Sequence, residues 1–259
     1  QVASAPADLP YEAFYFEFSY FPFIFSASPA AFEQAIKLLD SRKSKAPERQ
    51  FFVGNFTHKQ NTMLATISFH PVIEKWFSDN FSAPSPPQAQ GWPVIAAGQH
   101  TLILAPTGSG KTLAAFLWCI DDLFRRGVQA DAKEFSRNTG GIHTLYISPL
   151  KALNNDIHRN LQEPLHGIKE TALVMNLTPP AIHALVRTGD TPANERQAML
   201  RRPPHILITT PESLFLLLTS RQGREMFRNV RYLIIDEIHA ISNNKRGVHL
   251  SLSLERLMH

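Results

Sequence analysis

Residues 102–116, LILAPTGSGKTLAAF, constrain this chain more than any other stretch. Four apolar residues run into a small turn that carries two glycines and ends in Lys-Thr, and a helix-like apolar stretch comes directly after it. A short apolar run punctuated by glycine reads as a buried strand, and the periodic stretch after it as a helix. The turn therefore joins the end of a strand to the start of a helix. Gly108 and Gly110 let the backbone fold so that successive N–H groups point inward, and the helix N-terminus adds partial positive charge. A cradle of that kind suits phosphate.

The spacing from Ala105 to Thr112, APTGSGKT, fits the P-loop pattern with Ala105 where the first glycine usually stands. Pro106, Thr107, Gly108, Ser109 and Gly110 would wrap the phosphates of ATP, Lys111 would reach the β- and γ-phosphates, and Thr112 would place its hydroxyl on Mg²⁺. The second half of such a site is an acid at the end of a neighbouring strand. YLIIDEIHA (232–240) supplies one: Asp236 leaves an apolar strand, where a carboxylate is costly unless it meets a cation, and Glu237 is beside it. Asp236 would hold Mg²⁺, and Glu237 would orient and deprotonate the attacking water.

The rest of the chain supports a strand–helix alternation. Strand candidates lie at 101–104, 143–148, 183–187, 205–209 and 231–236, each short, apolar and separated from the next by helical sequence. The pattern predicts a mainly parallel sheet covered by helices on both faces. Residues 70–81 read as a helix, 82–93 as a proline-rich connection leading to a second short helix, and 131–141 as a polar surface loop. Residues 1–62 differ in composition from residues 63–259. Nine of the fifteen residues from 11 to 25 are aromatic, and of the twelve glycines only Gly54 falls in the N-terminal segment. The aromatic alternation is compatible with a strand, and 28–43 reads as a short amphipathic helix. Met63 is the first methionine, so the expectation is a functional unit over 63–259 preceded by a segment of no assigned role.

A net charge of +4 permits an anionic partner without demanding one. The single cysteine, Cys119, allows no internal disulfide and favours a reducing compartment, and its apolar neighbours mark it as a core residue. No apolar run reaches the length a bilayer requires. The expectation is a soluble, cytoplasmic protein with no membrane partner.

With both halves of the phosphate site in view, the chain resembles the first RecA-like domain of superfamily 2 helicases of the DEAD/DEAH type. DEIH (236–239) stands for the box, PPQAQGWP (86–93) resembles the Q motif, SPLKALNND (148–156) motif Ia, RTGDT (187–191) the glycine motif after it, and TTPESL (209–214) motif Ib. The wording over about 69–257 is similar to Lhr-type helicases. The resemblance implies a RecA-like P-loop NTPase domain. It also implies an ATP-dependent helicase activity in which ATP hydrolysis drives translocation on single-stranded DNA or RNA.

The resemblance further assigns site residues. Gln88 would read adenine, with Phe69 as an upstream aromatic, while Pro149, Lys151, Gly189, Thr210 and Pro211 would contact the nucleic-acid backbone without reading bases. Thr210 and Pro211 also read as plain helix capping. Ser213 stands where many relatives carry arginine. His239 would couple the nucleotide site to the partner domain. The pairs Arg201–Arg202 and Lys245–Arg246 read as solvated surface. The motif expected after the box and a second, C-terminal RecA-like domain with its arginine finger are not in this sequence, so the chain alone is expected to bind ATP·Mg weakly and not to unwind. Two other readings stay open: a P-loop ATPase with no nucleic-acid role, and a non-catalytic scaffold.

Overall fold

The computed structural model describes residues 12–16, 52–55, 67–105, 108–137, 141–149, 151–242 and 245–258. Two strands, β1 (Glu12–Phe16) and β2 (Phe52–Asn55), precede helices α1 (Pro71–Asn80) and α2 (Pro86–Ala96). The alternation then begins with β3 (Thr101–Leu104), α3 (Lys111–Gln129), the short α4 (Ala132–Arg137), β4 (Thr144–Ile147) and α5 (Lys151–Val174). It continues through β5 (Ala184–Arg187), α6 (Ala193–Arg201), β6 (Ile206–Thr209), α7 (Pro211–Thr219), α8 (Arg221–Glu225) and β7 (Tyr232–Asp236). Helices α9 (His239–Ser242) and α10 (Lys245–Met258) complete it.

The strands form one sheet in the order β2-β3-β1-β7-β4-β6-β5. Every neighbouring pair is parallel except β2 with β3. Strands β4, β6 and β7 are buried along their whole length, as a sheet covered on both faces requires, whereas the edge strand β5 leaves Leu185 37% exposed. From β3 to β4 and from β4 to β5 the chain steps one way along the sheet; from β5 to β6 and from β6 to β7 it steps back. Right-handed crossovers place α3 and α5 on one face and α6 and α7 on the other. The expected α/β architecture is present.

The five predicted strands all form, with the β-region ending at the predicted carboxylate. Helix α1 forms where expected, with Pro71 in its first turn and Val72, Ile73 and Trp76 buried. Two readings change. The proline-rich connection contains most of α2, because Pro86 and Pro87 sit in its first turn, where their missing N–H groups cost nothing, and Gln88 Oε1 accepts the Ser85 N–H at 2.9 Å. The polar stretch after α3 contains α4, whose first turn is capped by Asp131 Oδ1 accepting from the N–H groups of Lys133 and Glu134. The N-terminal segment of no assigned role contributes β1 and β2 to this sheet: β1 pairs with both β3 and β7, satisfying two strand edges that would otherwise be buried without partners. The expected helix over 28–43 lies outside the described residues. Cys119 is buried in the core, as read. Among the described residues no helix is long and apolar enough to cross a membrane.

Candidate nucleotide and nucleic-acid site

Because β3, β7, β4, β6 and β5 share one direction, their C-terminal ends share one edge of the sheet. Apart from Gln88, which lies in α2 ahead of β3, the motif residues singled out above leave from that edge: the P-loop after β3, Asp236 at the end of β7, Pro149 and Lys151 after β4, Gly189 after β5, and Thr210 with Pro211 after β6. Ligands of open α/β sheets bind at this edge. One expectation changes. The strands bearing the P-loop and Asp236 are not neighbours, since β1 lies between them.

The glycines of the turn have distinct reasons. Gly108 has φ +75° and Gly110 φ +85°, both in the left-handed region. At Gly110 a Cβ would also stand 2.8 Å from Gln88 Nε2 and from Ser85 Oγ, so the turn can close on α2 only without a side chain. Gln88 is 3% exposed, and its Nε2 donates to the Gly110 carbonyl at 3.2 Å. Gln88 thus binds the P-loop to the start of α2. Pro106 and Thr107 lie outside the described residues.

Lys111 opens α3 and is only 4% exposed. Its ammonium donates to the Ala105 carbonyl. Burial lowers its pKa to about 8, a shift opposed by the carboxylates of Asp236 and Glu237. Asp236 is fully buried, and burial raises its carboxyl well above the ordinary range against the hydrogen bond from Tyr146. The Tyr146 hydroxyl donates to Asp236 Oδ2 and the Glu237 N–H donates to Oδ1 at 2.9 Å. Glu237, also buried, has φ +53°, a conformation costly for a side-chain-bearing residue and concentrated at functional sites. A buried lysine facing two buried acids, one on strained backbone, is an arrangement that stability alone does not favour.

In front of the turn lies a cavity of about 870 Å³, of the size small-molecule sites have. Gly108, Ser109, Gly110, Lys111, Thr112 and Gln88 line one side. Asp236 and Glu237 are not among its walls; their link to it is Lys111. Its walls also include the aromatic rings of Trp76 and Phe81. Phe69, expected as the aromatic partner, is instead core: its ring meets Trp92 edge-on at 4.9 Å and Trp118 at 5.9 Å. Phe81, 40% exposed and stacked on Phe77 at 4.9 Å, lines the cavity and Phe69 does not. Its position directly after the helical period of α1, at the start of the proline-rich stretch, was the available signal.

Among the described residues no cluster of three or more His, Cys, Asp or Glu could hold a metal ion. The donors present, the Thr112 hydroxyl and the Asp236 carboxylate, are hard oxygens. They fit Mg²⁺, which takes one or two carboxylates and completes its shell with water and substrate phosphate.

The candidate nucleic-acid residues are held by local structure. Thr210 caps α7, its Oγ1 accepting from the Ser213 N–H at 3.3 Å, and Pro211 occupies the first turn. Both are buried, so the capping role is present. Gly189 is exposed in a turn closed by the Thr188 N–H donating to Thr191 Oγ1 at 2.9 Å. Lys151 is the first residue of α5, and His239 the first of α9. Arg201 and Arg202 are exposed, as expected of solvated surface. Arg246 is half-buried and held: its Nη2 donates to the Pro149 carbonyl at 2.8 Å and its Nε to Glu212 Oε1 at 2.7 Å, tying the turn after β4 to the first turn of α7.

Comparison with known proteins agrees with this geometry. The family model for DEAD/DEAH box helicases matches residues 85–259. The chain is 54% identical over 190 residues to the Lhr helicase/probable uracil glycosylase of Mycolicibacterium smegmatis, covering 73% of this chain and 12% of that protein. It is 52% identical over 189 residues to the Lhr helicase/uracil glycosylase of Escherichia coli, with the same shares. A solved structure of Mycobacterium smegmatis helicase Lhr bound to ssDNA and AMP-PNP matches with a TM-score of 0.64 and 49% identity, covering 73% of this chain and 23% of that one. The chain thus spans about an eighth of the length of the two curated relatives. The P-loop, the box and the intervening motifs, gathered at one sheet edge and matched over residues 85–259, make this chain a member of the DEAD/DEAH box helicase family, similar to the Lhr helicases.

Proposed function

We propose that this chain is the ATP-binding part of an Lhr-like, ATP-dependent helicase motor. The observation that carries the reading is the coupling of the buried Lys111 to Asp236 and Glu237 at the edge where the phosphate cradle opens. In this reading the amides of 108–110, with Pro106 and Thr107, wrap the triphosphate, and Lys111 turns from the Ala105 carbonyl to the β- and γ-phosphates. Gln88 reads adenine from its place against Gly110, with Phe81 and Trp76 as the apolar wall. Thr112 and Asp236 would hold Mg²⁺, which when bound neutralises charge developing on the phosphate oxygens. Glu237 accepts a proton from the attacking water. The AMP-PNP and ssDNA named for the solved Lhr relative support ATP and single-stranded nucleic acid as ligands here.

Pro149, Lys151, Gly189, Thr210 and Pro211 would contact the backbone of single-stranded DNA, and His239 would pass the state of the nucleotide to a second RecA-like domain supplied by the whole protein. Closing that domain on the cleft would complete the catalytic set.

Calorimetry of ATP with and without Mg²⁺, on wild type and Lys111→Ala, tests the nucleotide half. Wild type should bind in a Mg²⁺-dependent manner. The variant should lose roughly ten- to a hundredfold in affinity, the worth of a hydrogen bond to a charged group. Equal binding would reject the site. ATP turnover by the whole protein should rise with single-stranded DNA; turnover indifferent to DNA and RNA would favour the reading as an ATPase without a nucleic-acid role.

A further inference from the structure

Tyr146 is the one fully buried side chain, among those described, whose polar atom is aimed at the acid proposed to hold the metal. It is the third residue of β4, paired in register with Ile234 of β7, so Tyr146, Ile234 and Asp236 face the same side of the sheet. Asp236 lies two residues beyond that partner, a diagonal distance that an aromatic side chain spans and a leucine or valine does not. The tyrosine ring stacks on Phe116 of α3, centroids 5.2 Å apart and planes 22° from parallel. The ring is therefore fixed by the helix that begins with Lys111, and its hydroxyl is delivered to Asp236 Oδ2.

A phenylalanine would fill this place in the core equally well. The hydroxyl costs free energy to bury and recovers it only through its hydrogen bond. Asp236 in turn has each oxygen held by one donor, Oδ2 by the Tyr146 hydroxyl and Oδ1 by the Glu237 N–H. A carboxylate oxygen has two lone pairs, so one on each oxygen remains for a cation or its water.

We propose that Tyr146 is a positioning residue for the metal-binding carboxylate: it holds Asp236 in one orientation, on the face covered by the P-loop helix. The proposal rests on the nucleotide-site reading above. Partners of this kind set metal affinity without touching the metal, and losing one costs roughly tenfold or more.

The test is Tyr146→Phe in the full chain, read by calorimetric titration of ATP at a series of Mg²⁺ concentrations, by ATP affinity in EDTA, and by Mn²⁺ binding followed by electron paramagnetic resonance. The expected result is an unchanged melting profile and unchanged metal-free ATP affinity. The Mg²⁺ concentration for half-maximal tightening should rise roughly tenfold, and Mn²⁺ binding in the presence of ATP should weaken by a similar factor. Phe116→Leu, which removes the stacking and keeps the hydroxyl, should stay within about threefold of wild type. Unchanged metal dependence in Tyr146→Phe would overturn the proposal. So would an equal loss with and without metal, or an unfolded product, since the hydroxyl would then serve the sheet and not the carboxylate. If wild type itself shows no Mg²⁺-dependent ATP binding, the nucleotide reading fails instead.

Discussion

The two edges of the parallel sheet handle buried charge in opposite ways. At the C-terminal edge, Lys111, Asp236 and Glu237 are all below 5% exposed, and burial displaces the first two from their ordinary protonation behaviour. At the N-terminal edge a histidine stands immediately before each of β3, β4, β5 and β6, at positions 100, 143, 183 and 205, and Arg231 stands before β7. Here the charges are closed into local pairs. Asp122 Oδ2 accepts from His143 Nε2 at 2.8 Å and from Arg126 Nε at 2.9 Å, with Arg231 Nε at 3.5 Å. Burial alone would raise the Asp122 carboxyl, but His143 and Arg126 hold it below its usual range. His205 Nδ1 accepts the His183 N–H at 3.1 Å while Nε2 faces the Phe135 carbonyl at 3.1 Å, which uses both ring nitrogens in the neutral form. Burial of charge therefore does not by itself mark a site. What marks it is burial that leaves like charges together, one of them on strained backbone, as at Asp236 and Glu237, where stability would prefer neutral residues.

The sharpest way to break this contrast is Asp236→Asn. If the acid is there for chemistry, its neutral isostere keeps the Tyr146 hydrogen bond and melts no lower than wild type, while the Mg²⁺-dependent gain in ATP affinity falls at least tenfold. A large drop in melting temperature would make Asp236 structural and erase the difference between the edges. Asp122→Ala should do the reverse. Leaving His143, Arg126 and Arg231 without their shared acceptor should cost about 2 kcal/mol, discounted for partial exposure, which is roughly 4–8 °C in melting temperature. ATP affinity should not move.

The pH dependence sharpens the same contrast. Burial lowers the pKa of His205 to about 4. Between about 4 and 6.5 the unfolded chain therefore binds the proton that the folded chain excludes, so stability is full above 6.5, falls as pH falls through this window, and levels off below it. From pH 7 to pH 5 the His205 contribution should be of the order of 1–2 kcal/mol, measurable by urea unfolding and reduced in His205→Gln. The smallest change in stability belongs to Glu237→Gly. Releasing φ +53° should stabilise the fold by about 1 kcal/mol, and ATP turnover by the whole protein should disappear. A destabilised Glu237→Gly would show that the residue is held there for packing.

Much of the site was legible because its chemistry is local in sequence. A glycine-spaced turn between a strand and a helix, and an acid pair at a strand end, need no knowledge of the rest of the chain. The misread segments failed for equally particular reasons. Pro86 and Pro87 look like a linker until their place in a first helical turn is known, and α4 looks like a loop because an anchoring contact, Phe135 stacked on His205 at 4.5 Å, comes from 70 residues away. Arg246 read as solvent-facing since nothing nearby in sequence announces the Pro149 carbonyl it binds.

The sequence by itself determined the parallel α/β architecture, the phosphate turn and the identity of the acids, since each arises from short-range periodicity and turn chemistry. Tertiary structure decided that β1 separates the two halves of the site, that Phe81 and not Phe69 walls the cavity, and that Tyr146 grips Asp236. The reason is that strand order and register set which distant side chains meet, and those depend on pairing partners far along the chain that no local pattern encodes.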